Sequence, residues 1–190
     1  MSKKKKFSYY SFDRILSYNA VINMVMGARG LGKTYGAKRM VIKNALESGE
    51  QFIYLRRYKP ELKGCKTFFA DIAHEFPEYE FRVHSNEAQY RGPLPEEKDP
   101  WFTMGYFQAL SVSASAKSIA FPDVTTIIFD EFIIETGTHH YLSNEVRTFL
   151  DFYSTVDRYD DRVRVLMLSN AISIMNPYFI EWKISPSKKI

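Results

Sequence analysis

Residues 27–34 form a glycine-rich loop motif that ends in a lysine and a threonine. They read GARGLGKT and fit the pattern G-x-x-x-x-G-K-S/T. Glycines let several backbone N–H groups converge on one phosphate, and the positive end of the following helix faces the same point. Lys33 would add a charge at the β- and γ-phosphates, and the Thr34 hydroxyl would ligate Mg²⁺, so ATP and Mg²⁺ are the expected ligands. The predicted nucleotide-binding residues are Gly27, Ala28, Arg29, Gly30, Leu31, Gly32, Lys33, Thr34 and Tyr35.

A second motif, residues 124–131, is an apolar run that ends in two carboxylates. In a parallel sheet its end would lie at the same edge as the glycine-rich loop. We expect Asp130 to hold Mg²⁺ through its water shell and Glu131 to polarise the water that attacks the γ-phosphate. An Asp-Glu pair alone often only begins a loop, so its meaning depends on the loop motif. Because kinases must exclude water, Glu131 favours a hydrolase.

A third polar side chain, Asn170, follows the apolar run 163–168. An amide at the end of a core strand could sense the γ-phosphate or hold the attacking water. A turn residue is an equally good interpretation, since Asn is common in turns. Both interpretations stay open on the sequence.

The elements that must position these residues alternate between strand and helix. Short apolar runs predict strands, and apolar residues at helical spacing predict helices between them, including one capped at its start by Ser143. This alternation predicts a three-layer α/β domain with a mostly parallel sheet, interrupted at 79–110 by a hairpin or antiparallel edge. The predicted strands are 21–26, 52–55, 79–83, 102–110, 124–129 and 163–168, and the other predicted helices are 33–46 and 62–76.

Composition excludes several classes of protein. The chain has 190 residues, of which 45% are hydrophobic and 25% charged, as in one globular domain. A single cysteine excludes an intrachain disulfide, and no apolar run has the roughly 20 residues of a membrane span. Four lysines at positions 3–6 account for the whole formal net charge of +4. A nucleic-acid hypothesis must therefore rest on local clusters.

One such basic cluster follows the second predicted strand. It contains Arg56, Arg57, Lys59, Lys63 and Lys66, opposed only by Glu61. Lys and Arg contacts to phosphates would suit a protein that holds DNA of any sequence. The cluster alone favours a solvated helix face with surface ion pairs.

Several longer blocks resemble the DNA-packaging ATPases of small tailed phages, from about residue 16 to residue 179. In that family a ring of ATPases sits at the capsid portal with a packaging RNA. The resemblance implies a P-loop NTPase fold of the catalytic-glutamate (ASCE) type that pumps double-stranded DNA into a preformed capsid, in the host cytoplasm at the portal vertex. The blocks are residues 27–34, 50–62, 128–133, 168–171 and 176–179.

The resemblance also implies roles for particular residues. It points to Arg158 as an arginine supplied to the neighbouring subunit, with Arg162 and Arg164 as competitors, and to Lys117 as a lysine acting in the same way. It makes Lys59 the leading candidate for DNA contact, with Arg56 and Arg57 beside it. The implied partners are double-stranded DNA, the portal protein, the packaging RNA and further copies of the chain.

The expected organisation is a flexible basic tail, residues 1–15, and an ATPase domain, residues 16–190. Members of the family usually continue into a nuclease-like C-terminal domain, which this chain is expected to lack because it ends at Ile190. Two other functions remain open. One is a small P-loop kinase with residues 79–110 as a lid, and the other is a nucleotide-dependent assembly switch without turnover.

Overall fold

The computed structural model describes residues 10–94, 96–135, 140–170 and 173–185, and the side chains of residues 115–118 lie outside the description. The described elements are seven strands, four α-helices and three 3₁₀ segments. The strands are β1 (Ile22–Met26), β2 (Gln51–Arg56), β3 (Glu80–His84), β4 (Glu87–Arg91), β5 (Phe102–Ala109), β6 (Val124–Asp130) and β7 (Arg164–Ser169). The helices are α1 (Asp13–Leu16), α2 (Lys33–Ser48), α3 (Glu145–Asp157) and α4 (Pro177–Glu181), and the 3₁₀ segments are Lys59–Thr67, Ala73–Glu75 and Leu110–Ser118. No helix in these ranges is long and apolar enough to cross a membrane.

All seven strands form one sheet in the order β1-β7-β6-β2-β5-β4-β3. The five strands from β1 to β5 in this order pair in parallel, and β4 and β3 add an antiparallel edge. The predicted mostly parallel sheet is confirmed, as is the antiparallel region within 79–110. Because the carboxyl ends of parallel strands meet at one edge, the ends of β1, β6 and β7 lie side by side.

The sheet has a hydrophobic core on each face. Along β2, Ile53 and Leu55 face one core with α3 and α4, whereas Phe52 and Tyr54 face the other core with α2. The alternation follows from the period of two along a strand. It explains why β2 is apolar throughout, and it confirms the α/β arrangement of helices on both faces of the sheet.

Two helix predictions are wrong. Residues 62–76 form separate 3₁₀ segments and turns instead of one α-helix. Their buried residues recur at intervals of three, as Cys65–Phe68 and Phe69–Ile72, which fits the 3₁₀ period as well as the α period. The N-cap of α3 is Asn144 and not Ser143, because the Glu145 carboxylate accepts the Leu142 N–H and so fixes where the helix begins.

The predicted flexible tail is too long. Phe12 is buried in the core beside α2, and Asp13–Leu16 form α1. A Cβ at Gly36 would meet the Tyr10 carbonyl oxygen at 2.2 Å, so glycine is required there for α2 to approach this segment. Residues 10–15 are therefore part of the domain, and residues 1–9 lie outside the described ranges.

Candidate active site

The glycine-rich loop connects the end of β1 to the start of α2. Gly30 and Gly32 have φ angles of 83° and 73°, which other residues adopt only with strain. The Gly27 N–H donates to the Ser169 carbonyl at 3.2 Å, which joins the loop to the end of β7. Residues 27–34 thus form a loop whose backbone is exposed at the carboxyl edge of the sheet.

Lys33 lies buried at the mouth of this loop. Its ammonium donates to the carbonyls of Gly27 at 2.8 Å and Ala28 at 3.0 Å, and to Asn170 Oδ1 at 3.1 Å. Burial lowers the pKa of Lys33, and the nearby Asp130 carboxylate opposes that shift. The structure therefore brings Asn170 to the loop, although its role there stays a prediction.

Thr34 and Asp130 place two oxygen atoms beside the loop. The Thr34 hydroxyl donates to Asp130 Oδ1 at 3.3 Å, and the Tyr54 hydroxyl donates to Oδ2 of the same carboxylate. Burial raises the pKa of Asp130, while the hydrogen bond from Tyr54 and the charge of Arg56 lower it. A hydroxyl and a carboxylate are ligands that suit Mg²⁺. No cluster of three or more His, Cys, Asp and Glu side chains that could hold a metal occurs in the described ranges, so Mg²⁺ here would need phosphate and water oxygens as well.

Glu131 follows Asp130 with a positive φ of 60°, and its side chain is half-exposed. Arg56 Nη2 lies 2.6 Å from Glu131 Oε2, and Arg56 Nη1 lies 3.5 Å from Asp130 Oδ2. Arg56 also lies 3.6 Å from Glu61 Oε1. The Arg56 guanidinium is thus turned to the two site carboxylates and to Glu61, and its DNA contact stays a prediction.

The predicted DNA contact by Arg57 is wrong. The Arg57 side chain is 4% exposed and forms two hydrogen bonds to the fully buried Glu145, at 2.8 and 2.9 Å. It also donates to the carbonyls of Glu131 at 3.1 Å and Phe132 at 2.7 Å. Arg57 thus fixes the backbone beside Glu131 instead of meeting a ligand.

This buried pair gives a prediction about stability. Glu145→Gln would leave the Arg57 charge buried without its partner, and we expect it to lower the free energy of unfolding by about 3 to 5 kcal/mol. Urea denaturation measures the loss. Glu47→Gln is the matched control, because Glu47 forms an exposed pair with Lys43 at 3.8 Å and its loss should cost under about 1 kcal/mol. Equal losses in the two variants would contradict the role given to Arg57.

Lys59 is exposed at the start of the first 3₁₀ segment. With Lys63 and Lys66 it lines a cavity of about 410 Å³ next to the β3–β4 turn. Among the residues that the structure describes, no acidic side chain lines this cavity. Its exposure leaves Lys59 able to meet DNA, so the DNA assignment stays a prediction for this residue.

The three candidate arginines differ in what they contact. Arg162 donates to the carbonyls of Val124, Phe121 and Val156, and Arg164 pairs with Asp161 at 2.9 Å, so both have structural contacts. Arg158 is exposed, and its side chain has no hydrogen bond or ion pair to the described residues. It follows α3 at the edge of the sheet where β7 begins, and the six residues of β7 separate it by about 20 Å from the glycine-rich loop of its own chain.

The remaining predicted residues lie at the margin of the site or outside the description. Ala28, Arg29 and Leu31 are exposed on the loop, and Arg29 lies 3.6 Å from Glu135. The Tyr35 hydroxyl donates to Glu75. The backbone of Lys117 lies in the third 3₁₀ segment, and its side chain is outside the described part.

The contacts of Tyr54 with Asp130 and of Arg56 with Glu131 were not predicted from the sequence. Tyr54 and Arg56 lie two residues apart in the second half of β2, and their side chains therefore point to the same face of the sheet. Polar residues at alternate positions near the end of an otherwise buried strand were the available signal. The pairing of β2 with β6, which brings Asp130 next to these side chains, could not be predicted from the sequence.

A glycine-rich loop with Lys33 and Thr34 that lies beside an Asp-Glu pair at the carboxyl edge of a parallel sheet is typical of nucleotide-binding α/β proteins. The chain belongs to the podovirus DNA encapsidation protein (Gp16) family, whose model matches residues 4–189. It is 43% identical over 181 residues to the DNA packaging protein of Bacillus phage phi29, and the match covers 95% of this chain and 52% of that protein. The chain thus spans about half the length of the curated relative.

Two solved structures from phi29 are similar to this fold. The N-terminal domain of the DNA packaging ATPase superposes with a TM-score of 0.84 at 42% identity, covering 94% of this chain and 88% of that one. The viral genome packaging motor assembly gives a TM-score of 0.82 at 42% identity, covering 94% of this chain and 52% of that chain. The chain is therefore similar in sequence and in fold to the N-terminal domain of the phi29 DNA packaging ATPase.

Proposed function

We propose that this chain is a P-loop ATPase domain of the catalytic-glutamate class, which couples ATP hydrolysis to the translocation of double-stranded DNA into a preformed capsid. One observation carries the proposal. Lys33, Thr34, Asp130 and Asn170 converge at one edge of the sheet, with Glu131 directly beside them. A loop that only turned the chain would need neither the lysine nor the facing carboxylates.

Each residue has a distinct task in this proposal. The backbone N–H groups of the loop and the Lys33 ammonium bind the phosphates, and Thr34 and Asp130 provide the oxygen atoms for Mg²⁺. Mg²⁺, when bound, neutralises charge on the phosphate oxygens. Glu131 accepts a proton from the attacking water, and Arg56 fixes where its carboxylate points. Asn170 orients the terminal phosphate or the water.

The site is proposed to be completed by a second copy of the chain. Arg158 is exposed, lacks a partner among the described residues, and lies about 20 Å from its own loop along the six residues of β7. An arginine of this kind stabilises charge in the transition state of phosphoryl transfer. Lys117 is proposed to act on the neighbouring subunit in the same way. The chains are proposed to form a ring that binds the portal protein and the packaging RNA at the portal vertex.

A phosphate-release assay separates this function from the two alternatives. A motor ATPase releases inorganic phosphate from ATP without an acceptor, whereas a kinase transfers it to one. A switch without turnover would release none, and its DNA-dependent function would survive Glu131→Gln. The absence of phosphate release in the presence of Mg²⁺ and duplex DNA, at high protein concentration, would overturn the proposal.

Lys59 is the proposed DNA contact, and its effect is measurable as salt dependence. Each phosphate neutralised by a lysine contributes a slope of about −0.9 to a plot of log K against log salt concentration. We expect Lys59→Ala to weaken duplex binding for every sequence and to make the slope shallower by about 0.9. Lys43→Ala is the control, because Lys43 is exposed on α2 and pairs with Glu47. An unchanged slope for Lys59→Ala would contradict the assignment.

A further inference from the structure

The chain turns sharply after α3, in a conformation that its residues disfavour. The Asp160 N–H donates to the Asp157 carbonyl at 3.1 Å, and the two residues between them, Arg158 and Tyr159, have φ angles of 53° and 65°. Turns with two positive φ angles are dominated by Gly, Asn and Asp, because a left-handed conformation is sterically unfavourable for other residues. Such strain persists only where the surroundings fix it.

The buried side chain of Asp157 fixes this turn. Its Oδ1 accepts the N–H groups of Arg162 at 3.0 Å and Val163 at 2.9 Å, and its Oδ2 accepts that of Asp161 at 3.1 Å. The Arg162 guanidinium then binds three carbonyl groups behind the turn. The backbone on both sides of Arg158 and Tyr159 is therefore held before any ligand arrives.

What the turn presents is an arginine and an aromatic ring. Tyr159 is 93% exposed, the largest value among the exposed large hydrophobic side chains of the described residues. Neither side chain has a hydrogen bond, ion pair or ring contact to the part of the chain that the structure describes. The acidic neighbours Asp160 and Asp161 pair with Arg162 and Arg164, at 3.7 and 2.9 Å, so they do not neutralise Arg158.

We propose that this turn is a docking element for a second copy of the chain. Tyr159 packs on the glycine-rich loop face of the neighbour and seats Arg158 at its phosphates, and Asp157 is the positioning residue that holds both. The inference rests on the proposed function, since it needs a phosphate-bearing site in the neighbour. Charge supports that occupant, because Arg158 is cationic and the site collects phosphates. The loop also exposes an apolar side chain, Leu31, that an aromatic ring can cover.

Tyr159→Ala tests the docking role without removing a packing contact of the fold, because the Tyr159 ring is almost fully exposed. We expect an unchanged melting temperature, and a roughly 30-fold increase in the protein concentration that gives half-maximal ATPase, as for an interface hot spot. Phe102→Ala is the control, because Phe102 is 50% exposed at the start of β5, which β6 and β2 separate from β7 in the sheet. It should leave the concentration dependence unchanged. A Tyr159→Ala protein with the unaltered concentration dependence would overturn the proposal.

Mixing two defective proteins shows whether the turn acts on a neighbour. Tyr159→Ala and Asp157→Asn keep an intact site, and Glu131→Gln keeps an intact turn. We expect each variant alone to be slow, and each turn variant mixed with Glu131→Gln to hydrolyse ATP several-fold faster than the sum of the separate rates. For Asp157→Asn, the KM for ATP should stay unchanged while kcat falls, since the residue acts through Arg158. No recovery in the mixture would mean a defect within the chain and would overturn the inference.

Arg158→Ala in the same mixture distinguishes the proposed trans arginine from the proposed docking turn. Recovery with Arg158→Ala but not with Tyr159→Ala or Asp157→Asn would retain the proposed arginine and overturn the docking turn. No recovery with Arg158→Ala would overturn the proposed trans arginine itself. Weaker duplex binding by Tyr159→Ala, with normal concentration dependence, would assign the turn to DNA and also overturn the inference.

Discussion

Glu131→Gln is expected to lower the rate of ATP hydrolysis by about 10²- to 10⁴-fold while ATP binding is retained. The carboxylate is proposed to take a proton from water, and an amide cannot do so. The amide oxygen can still accept the hydrogen bond from Arg56, which now lies 2.6 Å from Glu131, so the local geometry should persist. Single-turnover phosphate release measures the rate, and equilibrium binding of a fluorescent ATP analogue measures affinity.

Glu181→Gln serves as the control for this experiment, because Glu181 is an exposed carboxylate on α4. It should hydrolyse ATP at the rate of the unaltered chain. Hydrolysis by Glu131→Gln within a few-fold of that rate would exclude Glu131 as the general base. Loss of ATP binding in Glu131→Gln would mean that the residue holds the site together and does not act on water.

Arg158→Ala is expected to lower turnover by about 10³- to 10⁵-fold under conditions where copies of the chain associate. The reason is the missing positive charge at the neighbour's transition state. In a dilute monomer the same substitution should have no effect, because Arg158 lies about 20 Å from its own loop along the six residues of β7. Steady-state ATPase at low and high protein concentration provides both measurements.

Arg14→Ala is the control for the second prediction, because Arg14 is an exposed arginine on a different element, α1. Its activity should match that of the unaltered chain at both concentrations. If Arg158→Ala slowed hydrolysis equally in a verified monomer, the arginine would act within its own chain. The large separation from the glycine-rich loop would then have to close by a movement of the domain.

The parts of the site that are local in sequence could be predicted from it. The loop 27–34 contains its own turn glycines, its lysine and the start of its helix, so a short pattern describes the whole unit. Asp130 and Glu131 follow a buried strand, and parallel pairing brings that strand end to the edge where the loop lies. Hydrophobic runs also sufficed for the mostly parallel sheet.

The other contacts of the site depend on pairing between residues that are far apart in sequence, and they could not be predicted. Arg56 and Arg57 are neighbours in sequence, and both were predicted to be surface charges. Successive side chains at the end of β2 point to opposite faces of the sheet, so the two arginines bind different partners. Arg56 pairs with Glu131, 75 residues away, and Arg57 with Glu145, 88 residues away. Nothing in the local sequence distinguishes a buried arginine from an exposed one when its carboxylate is so distant. For the same reason the hydrogen bond from Tyr54 to Asp130 could not be predicted, since the two residues are 76 positions apart.

We propose that the nucleotide site of this chain becomes an active ATPase when copies of the chain associate on DNA. The most direct test is the rate of phosphate release per chain, measured over a wide range of protein concentration with and without duplex DNA. We expect slow hydrolysis at low concentration and a steep rise in the rate with concentration, which duplex DNA makes steeper. A rate per chain that is constant across the range and unchanged by DNA would contradict the proposal.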